Sequence, residues 1–337
     1  MNVWKLHAPR ELVKEECPIP EAEEGKIRVR VTKMMLSRVD GEIYRGEVKT
    51  KPQLIPGRFA IGQISTDAGG ALFPKSSRVL FHTYRELPDH GTEKRDFSEE
   101  DVRICGMTEN GFLRDFINVA PNEMTPLPDA LSDVDALLVH YVAIAKTAID
   151  RLGANKGDRV AVVGADFLGI VISQLLIYQQ ASPILIDSNS ERLSFAKKCG
   201  VYYALEANDD LIDGVASVTG GRLADKAIYV KTAGEDPLLA IQLVKRGGAV
   251  VVCASDRTGY VGDLTLAVHK QITLEFVSDP EGTLESSINL IVSKAVNMEP
   301  LKGPMTMIAK PEDFFEKEES DEDLTLDTFR IHIFNLL

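Results

Sequence analysis

The segment that most restricts what this chain can fold into is Arg159-Val-Ala-Val-Val-Gly-Ala-Asp-Phe-Leu-Gly169. An apolar run meets Gly164, and an apolar helical stretch then continues to about residue 180. A membrane span is the wrong reading of Val160 to Tyr178, because Gly164, Asp166, Gly169 and Gln174 interrupt it; a strand, a turn and a helix explain it. About twenty residues on, Ile184-Leu-Ile-Asp187 is a second buried strand ending in an acid. This is the order of a Rossmann βαβ unit. Its first glycine makes the tight turn, the helix N-terminus faces a pyrophosphate, and the last glycine lets helix and strand pack closely. The acid accepts hydrogen bonds from an adenosine ribose. Gly164, Ala165, Asp166, Phe167, Leu168 and Gly169 then form the phosphate loop, with Asp187, Arg192, Ala233 and Cys253 as further cofactor-binding candidates. Asp187 favours NAD over NADP, since a carboxylate repels a 2′-phosphate.

The fingerprint departs from its pattern at one place. Asp166 stands where the middle glycine lets the backbone approach the pyrophosphate. An ionised carboxylate roughly 5 Å from a phosphate charge costs about 3 kcal/mol at an effective dielectric near 20. That is on the order of a hundredfold in affinity. Two readings stay open: a loop that binds NAD, and a Rossmann fold whose loop has lost it.

The rest of the chain fixes the setting. Its 337 residues call for two domains, and 44% hydrophobic with 26% charged residues is a globular composition. Residues 1 to about 130 read as mostly β: Lys26–Thr32, Ile61–Ile64, Arg78–His82 and Gly111–Val119 are strand candidates. Residues 84 to 104 read as a surface excursion. Ser132 with Asp135 looks like a helix start, and the helix continues to about Leu152. Strands at 159–163, 183–187, 226–230 and 248–253 then alternate with helices at 168–180, 190–199 and 236–245, the pattern of a parallel sheet covered on both faces. Phe329–Phe334 alternates like a strand returning to the first domain, and the acidic stretch Glu316–Asp323 reads as a solvated loop.

A net charge of −13 argues against nucleic acid and membrane surfaces as partners. Four scattered cysteines form no metal knuckle or disulfide framework, and the N-terminus shows no apolar signal core. The expected setting is a reducing cytoplasm.

Several segments taken together resemble the medium-chain dehydrogenase/reductase family, in particular its zinc-dependent alcohol and polyol dehydrogenases. Ser37-Arg-Val-Asp-Gly-Glu-Ile-Tyr-Arg-Gly46 resembles the family's Cys-Gly-Ser-Asp-x-x-x-Tyr-x-Gly segment. Pro56-Gly-Arg-Phe-Ala-Ile-Gly62 resembles Gly-His-Glu-x-x-Gly, and Gly111-Phe-Leu-Arg-Asp-Phe-Ile117 resembles Gly-x-Phe-Ala-Glu-Tyr. Val160–Gly169, Asp187 with Arg192, and Lys245–Val251 fall where the family has its nucleotide-binding strands. The resemblance implies an α/β protein: a GroES-like β-rich catalytic domain over 1–135, completed by about 281–337, and a doubly wound Rossmann domain over 136–280. It implies an active site in the cleft between them and a homodimer or homotetramer built on the edge of the Rossmann sheet.

The family's catalytic zinc is held by the Cys of the first segment, the His of the second and a third ligand on the interdomain helix. Here those positions hold Ser37, Arg58 and, near the third, His140; the neighbouring Glu is Phe59 and the proton-relay Ser or Thr is Val39. One histidine does not make a tetrahedral site, and Cys105 alone does not supply the four cysteines of a structural zinc lobe. No zinc is expected. Asp40, Arg58 and His140 remain as catalytic candidates. Asp40 reads equally as a structural hydrogen-bond partner, and His140 as a core histidine. Arg58 reads either as an anchor for an anion or oxyanion or as half of an ion pair. His82 and His269 carry no motif. The expected function is an NAD-linked, zinc-free oxidoreductase for a small carbonyl, alcohol or activated alkene. The alternative is a pseudoenzyme, or a protein that binds a small molecule other than a dinucleotide.

Overall fold

The computed structural model describes residues 1–48, 50–66, 70–85, 103–230, 236–253, 262–278, 280, 282–303, 305–319 and 331–336. The chain divides into two compact units, Met1–Leu137 with Pro304–Leu337, and Leu138–Gly303.

The first unit opens with an antiparallel hairpin of β1 (Asn2–Ala8) and β2 (Glu11–Glu16). There follow β3 (Ile27–Leu36), α1 (Arg38–Arg45), β4 (Phe59–Ile64), β5 (Arg78–Phe81), β6 (Tyr84–Arg85), β7 (Arg103–Ile104), β8 (Phe116–Val119) and β9 (Met124–Pro126). Alternation shapes β3: Ile27, Val29 and Val31 are buried between arginines. A register shift between Val31 and Lys33 then lets Met34, Met35 and Leu36 all turn inward. Gly111–Val119 is a strand only from Phe116, because Gly111, Phe112 and Leu113 hydrogen-bond as a turn to residues 55–57. The long helix α2 (Asp133–Leu152) starts as expected: Ser132 Oγ accepts the Asp135 N–H at 3.1 Å and donates to its Oδ2 at 2.6 Å.

In the second unit β10 (Arg159–Val163), α3 (Phe167–Tyr178), β11 (Ser182–Asp187), α4 (Ser190–Lys198), β12 (Tyr203–Glu206), α5 (Leu211–Thr219), β13 (Ala224–Val230), α6 (Pro237–Leu243), β14 (Val244–Cys253), α7 (Thr265–Lys270) and β15 (Thr273–Val277) alternate. All six strands are parallel, in the order β12-β11-β10-β13-β14-β15. Numbered within the unit this is 3-2-1-4-5-6, the dinucleotide-fold order, whose strand order reverses between β10 and β13. Two strands at its flanks escaped the periodicity: β12 and β15 are short edge strands, only partly buried, without the uninterrupted apolar runs of the inner strands.

The unit then continues through α8 (Leu284–Val292) and α9 (Met298–Lys302), so the return to the first unit comes at 304 and not at about 281. Side-chain bonds hold this segment. Thr283 Oγ1 donates to the Ala143 carbonyl at 3.1 Å, and the Asn297 N–H donates to Gln174 Oε1 at 2.8 Å.

The first unit is completed by β16 (Thr306–Met307), α10 (Glu312–Glu319) and β17 (His332–Asn335). Its sheet runs β16-β17-β3-β4-β5-β9, with β8 also on β3. The stretch read as a solvated acidic loop is, up to Glu319, the helix α10; Phe314 and Phe315 are buried and anchor it, and residues 320–330 lie outside the described ones. Among the described residues no helix is long and apolar enough to cross a membrane.

Two glycines of the loop after β10 are fixed by geometry. Gly164 has φ +106°, and a Cβ on Gly169 would lie 1.9 Å from the Gly164 carbonyl oxygen. Gly169→Ala must therefore push α3 off β10. The expected loss is about 2–4 kcal/mol of unfolding free energy in urea; an unchanged midpoint would contradict this close approach.

Candidate functional site

Each unit holds one cluster of candidate residues. In the first, Ser37 is the N-cap of α1 and Asp40 sits one turn in. The Asp40 Oδ2 accepts both the Ser37 N–H and the Ser37 hydroxyl at 2.9 Å, the carboxylate half of a capping box. The reading of Asp40 as a structural hydrogen-bond partner is the one its contacts support. Burial pushes its carboxyl above the ordinary carboxylate value, outweighing the Arg58 charge and the Ser37 bonds that pull it down.

Arg58 precedes β4 and is 2% exposed. Its Nη2 donates to Ser37 Oγ at 3.2 Å, and its Nε lies 3.9 Å from Asp40 Oδ1, too far for a hydrogen bond. The Phe59 ring lies 4.9 Å from the guanidinium carbon.

The backbone around Arg58 is fixed by three glycines that the sequence reading did not single out. Gly57 has φ +91°, and Cβ atoms on Gly106 and Gly111 would lie 2.7 and 2.1 Å from its carbonyl oxygen. Phe112 N–H donates to that same oxygen at 3.0 Å, and Thr83 Oγ1 donates to the Arg58 carbonyl at 2.5 Å. Gly111 opens a family-like segment, which was the signal available for this packing.

In the second unit the loop after β10 lies at the carboxyl edge of the sheet, beside the reversal of strand order. Asp166 is the N-cap of α3 and its Oδ1 accepts the Gly169 N–H at 2.9 Å. An aspartate in this place is a common helix cap, a signal the sequence already contained. Its carboxylate thus sits on the positive end of the helix, where a phosphate would sit. Phe167 is buried against Tyr141, ring centroids 5.0 Å apart, and Leu168 is half-buried.

Asp187 ends β11 and is 1% exposed. Its Oδ2 accepts the Ala165 N–H at 2.7 Å and lies 3.5 Å from Arg192 Nη1; its Oδ1 accepts the Asn189 N–H at 2.8 Å. A carboxylate offers about four acceptor positions, so these bonds leave capacity for a ribose hydroxyl. Cys253 ends β14, and burial with the nearby Asp166 charge pushes its thiol up to about 12. Ala233 lies outside the described residues. His140 is on α2 in the second unit and fully buried.

The residues present do not fit the zinc that the resemblance implies. The two positions meant for ligands hydrogen-bond to each other, and one of them is a permanent cation. Among the described residues no group of three or more His, Cys, Asp or Glu could hold a metal.

These features define a GroES-like β unit joined to a Rossmann nucleotide-binding unit. The family model for zinc-binding dehydrogenases matches residues 168–289. An uncharacterized zinc-type alcohol dehydrogenase-like protein of Haemophilus influenzae is 21% identical over 301 residues, 87% of each chain. The sorbitol dehydrogenase of Ovis aries is 22% identical over 308 residues, 88% of this chain and 87% of its own. Among solved structures, a "short chain alcohol dehydrogenase" from Escherichia coli CFT073, complexed with NADH, superposes with a TM-score of 0.83 at 18% identity, covering 99% of each chain. Residues 168–289 thus match the zinc-binding dehydrogenase family, and most of the chain is similar to zinc-type alcohol dehydrogenase-like proteins. The family match covers part of the nucleotide unit, from Leu168 on, and leaves Ser37, Arg58, β10 and Gly164 to Phe167 outside it.

A pH dependence follows from Asp40. A carboxyl whose value is raised on folding binds its proton more tightly in the folded state. Its contribution to stability is full below its ordinary value of 3.8 and is lost as pH rises through the folded value. Asp40→Asn removes this loss. The difference in urea midpoint, variant minus native, should shift in the variant's favour from about pH 4 to about pH 8; a flat or opposite trend would show that Asp40 is not raised.

Proposed function

We propose that this chain is an NAD(H)-linked oxidoreductase that acts without catalytic zinc on a small carbonyl, alcohol or activated alkene. The observation that carries the reading is the 3-2-1-4-5-6 parallel sheet with Gly164 and Asp187 at the carboxyl ends of β10 and β11 and Gly169 in the first turn of α3. The names of the relatives, dehydrogenases of alcohols and sorbitol, support the reaction class. The bound cofactor would supply the hydride. This chain's residues would place it: the Gly164–Gly169 loop at the pyrophosphate and Asp187 at the adenosine ribose, which selects against the 2′-phosphate of NADP. The donor set at Ser37 and Arg58 supports the zinc-free part of the reading.

One observation favours a second reading. The Asp166 carboxylate, resting on the Gly169 N–H, opposes an incoming pyrophosphate, and so favours a pseudoenzyme or a protein that binds another small molecule. Titration of the purified, metal-analysed protein with NADH, followed by nicotinamide fluorescence, separates the two. The oxidoreductase reading expects micromolar NADH binding without zinc, NADPH weaker by at least tenfold, and Asp166→Gly tighter by about tenfold to a hundredfold. Binding only after Asp166→Gly would hand the chain to the second reading.

We further propose a homodimer, alone or as half of a homotetramer, formed through β15. This edge strand leaves Phe276 69% exposed, and Val268 on the neighbouring α7 is 71% exposed. Phe276→Glu should halve the mass seen by light scattering; an unchanged assembly would place the interface elsewhere.

A further inference from the structure

We propose that the Arg58 guanidinium is a binding site for an anionic oxygen, and that the substrate of this chain is a small carboxylate. The site occupies the place from which the residues exclude a metal. The proposal rests on the oxidoreductase reading only in calling the bound anion a substrate.

Three observations carry it. The first is incomplete bonding. A guanidinium carries five N–H donors, and Arg58 is 2% exposed, yet its Nε and Nη1 have no hydrogen-bond partner among the described residues. Each such orphan costs about 1–3 kcal/mol, more for a charged group. An arrangement of this kind persists where a ligand completes it.

The second is incomplete charge compensation. Asp40 Oδ1 stands 3.9 Å from Nε and is itself without a hydrogen-bond partner, while Oδ2 is taken by the two donors of Ser37. The carboxylate is aimed at its own helix cap more than at the arginine. A buried cation answered this loosely favours an incoming negative charge, and gains little from a neutral hydroxyl.

The third is rigidity. Gly57, Gly106 and Gly111 interlock behind Arg58, Thr83 holds its carbonyl, and the Phe59 ring lies beside the guanidinium. Donors held in place before binding lose little freedom when an anion arrives. The plane of an arginine fork matches a carboxylate better than it matches a point charge. The deep burial favours a small monoanion over a bulkier, doubly charged phosphate.

Isothermal titration of the purified full chain at constant ionic strength tests this, with acetate, its neutral isostere acetamide, and inorganic phosphate as probes. Acetate should bind at one site at least tenfold more tightly than acetamide and more tightly than phosphate. Arg58→Gln should lose that preference. Ser37→Ala, a milder change that releases Nη2, should retain acetate binding or strengthen it, and decides the matter should the arginine variant fail to fold. Acetate no tighter than acetamide, phosphate tighter than acetate, a preference that survives Arg58→Gln, or a tenfold loss in Ser37→Ala would each overturn the site. Acetate binding without NADH binding would sink the oxidoreductase reading and leave this site standing; the reverse would remove the site alone.

Discussion

A cation taken out of water has to be met by acceptors or by opposite charge, and the first unit is arranged around one that is only partly met. Arg58 receives one oxygen, from Ser37, and a carboxylate that stops short of it. Ser37 serves two masters here. It caps α1 through Asp40 and it accepts from the guanidinium, so helix start and arginine position are one problem. A Cβ on Gly57 would meet the Met34 side chain, and one on Gly106 or Gly111 would meet the Gly57 carbonyl, so the backbone beside this residue has no room for side chains. Deleting the charge without refilling its volume would leave a polar pocket in the middle of that knot.

The second unit treats charge in the complementary way. At the start of α3 the positive end of the helix meets Asp166, a carboxylate from the chain itself. In a nucleotide-binding fold that end is where a ligand's negative charge is collected. In a zinc-type dehydrogenase the Ser37–Arg58 position is where a metal's positive charge is installed. This chain encodes both charges as side chains. A charge built into the sequence cannot dissociate, be diluted or be exchanged. It also raises the threshold for any ligand of the same sign, which must displace it or share its donors.

Much of this architecture was legible in the sequence, for identifiable reasons. The central strands β10 and β11 are buried on both faces, so their apolar runs are uninterrupted and the glycine after β10 stands out. The edge strands β12 and β15 are wet on one side and gave no such signal. In α10 an acid-rich surface masked Phe314 and Phe315, which do the anchoring. At the sites, residue types were readable but partners were not. The sequence shows that Asp166 is not glycine; only the fold brings its carboxylate onto the Gly169 N–H. It shows an arginine in a histidine's place; only the fold makes Ser37, the other altered position, the group it touches. Partners of this kind are distant in sequence, and local patterning carries no information about them.

β17 pairs with β3, so His332 lies opposite Leu36 and strands from either side of the inserted unit share one sheet. During synthesis the strand that closes this sheet leaves the ribosome after residues 138–303, which have already emerged with every strand of their own sheet. The usual vectorial order is inverted: the inserted unit can complete itself while the earlier segment waits, the second half of one edge of β3, Lys33 to Leu36, unpaired. Until the closing strand arrives, that edge is an open template for another nascent chain. A chaperone's demand for this protein would therefore be set by the time β3 spends exposed, and would concentrate on the segment translated before the inserted unit.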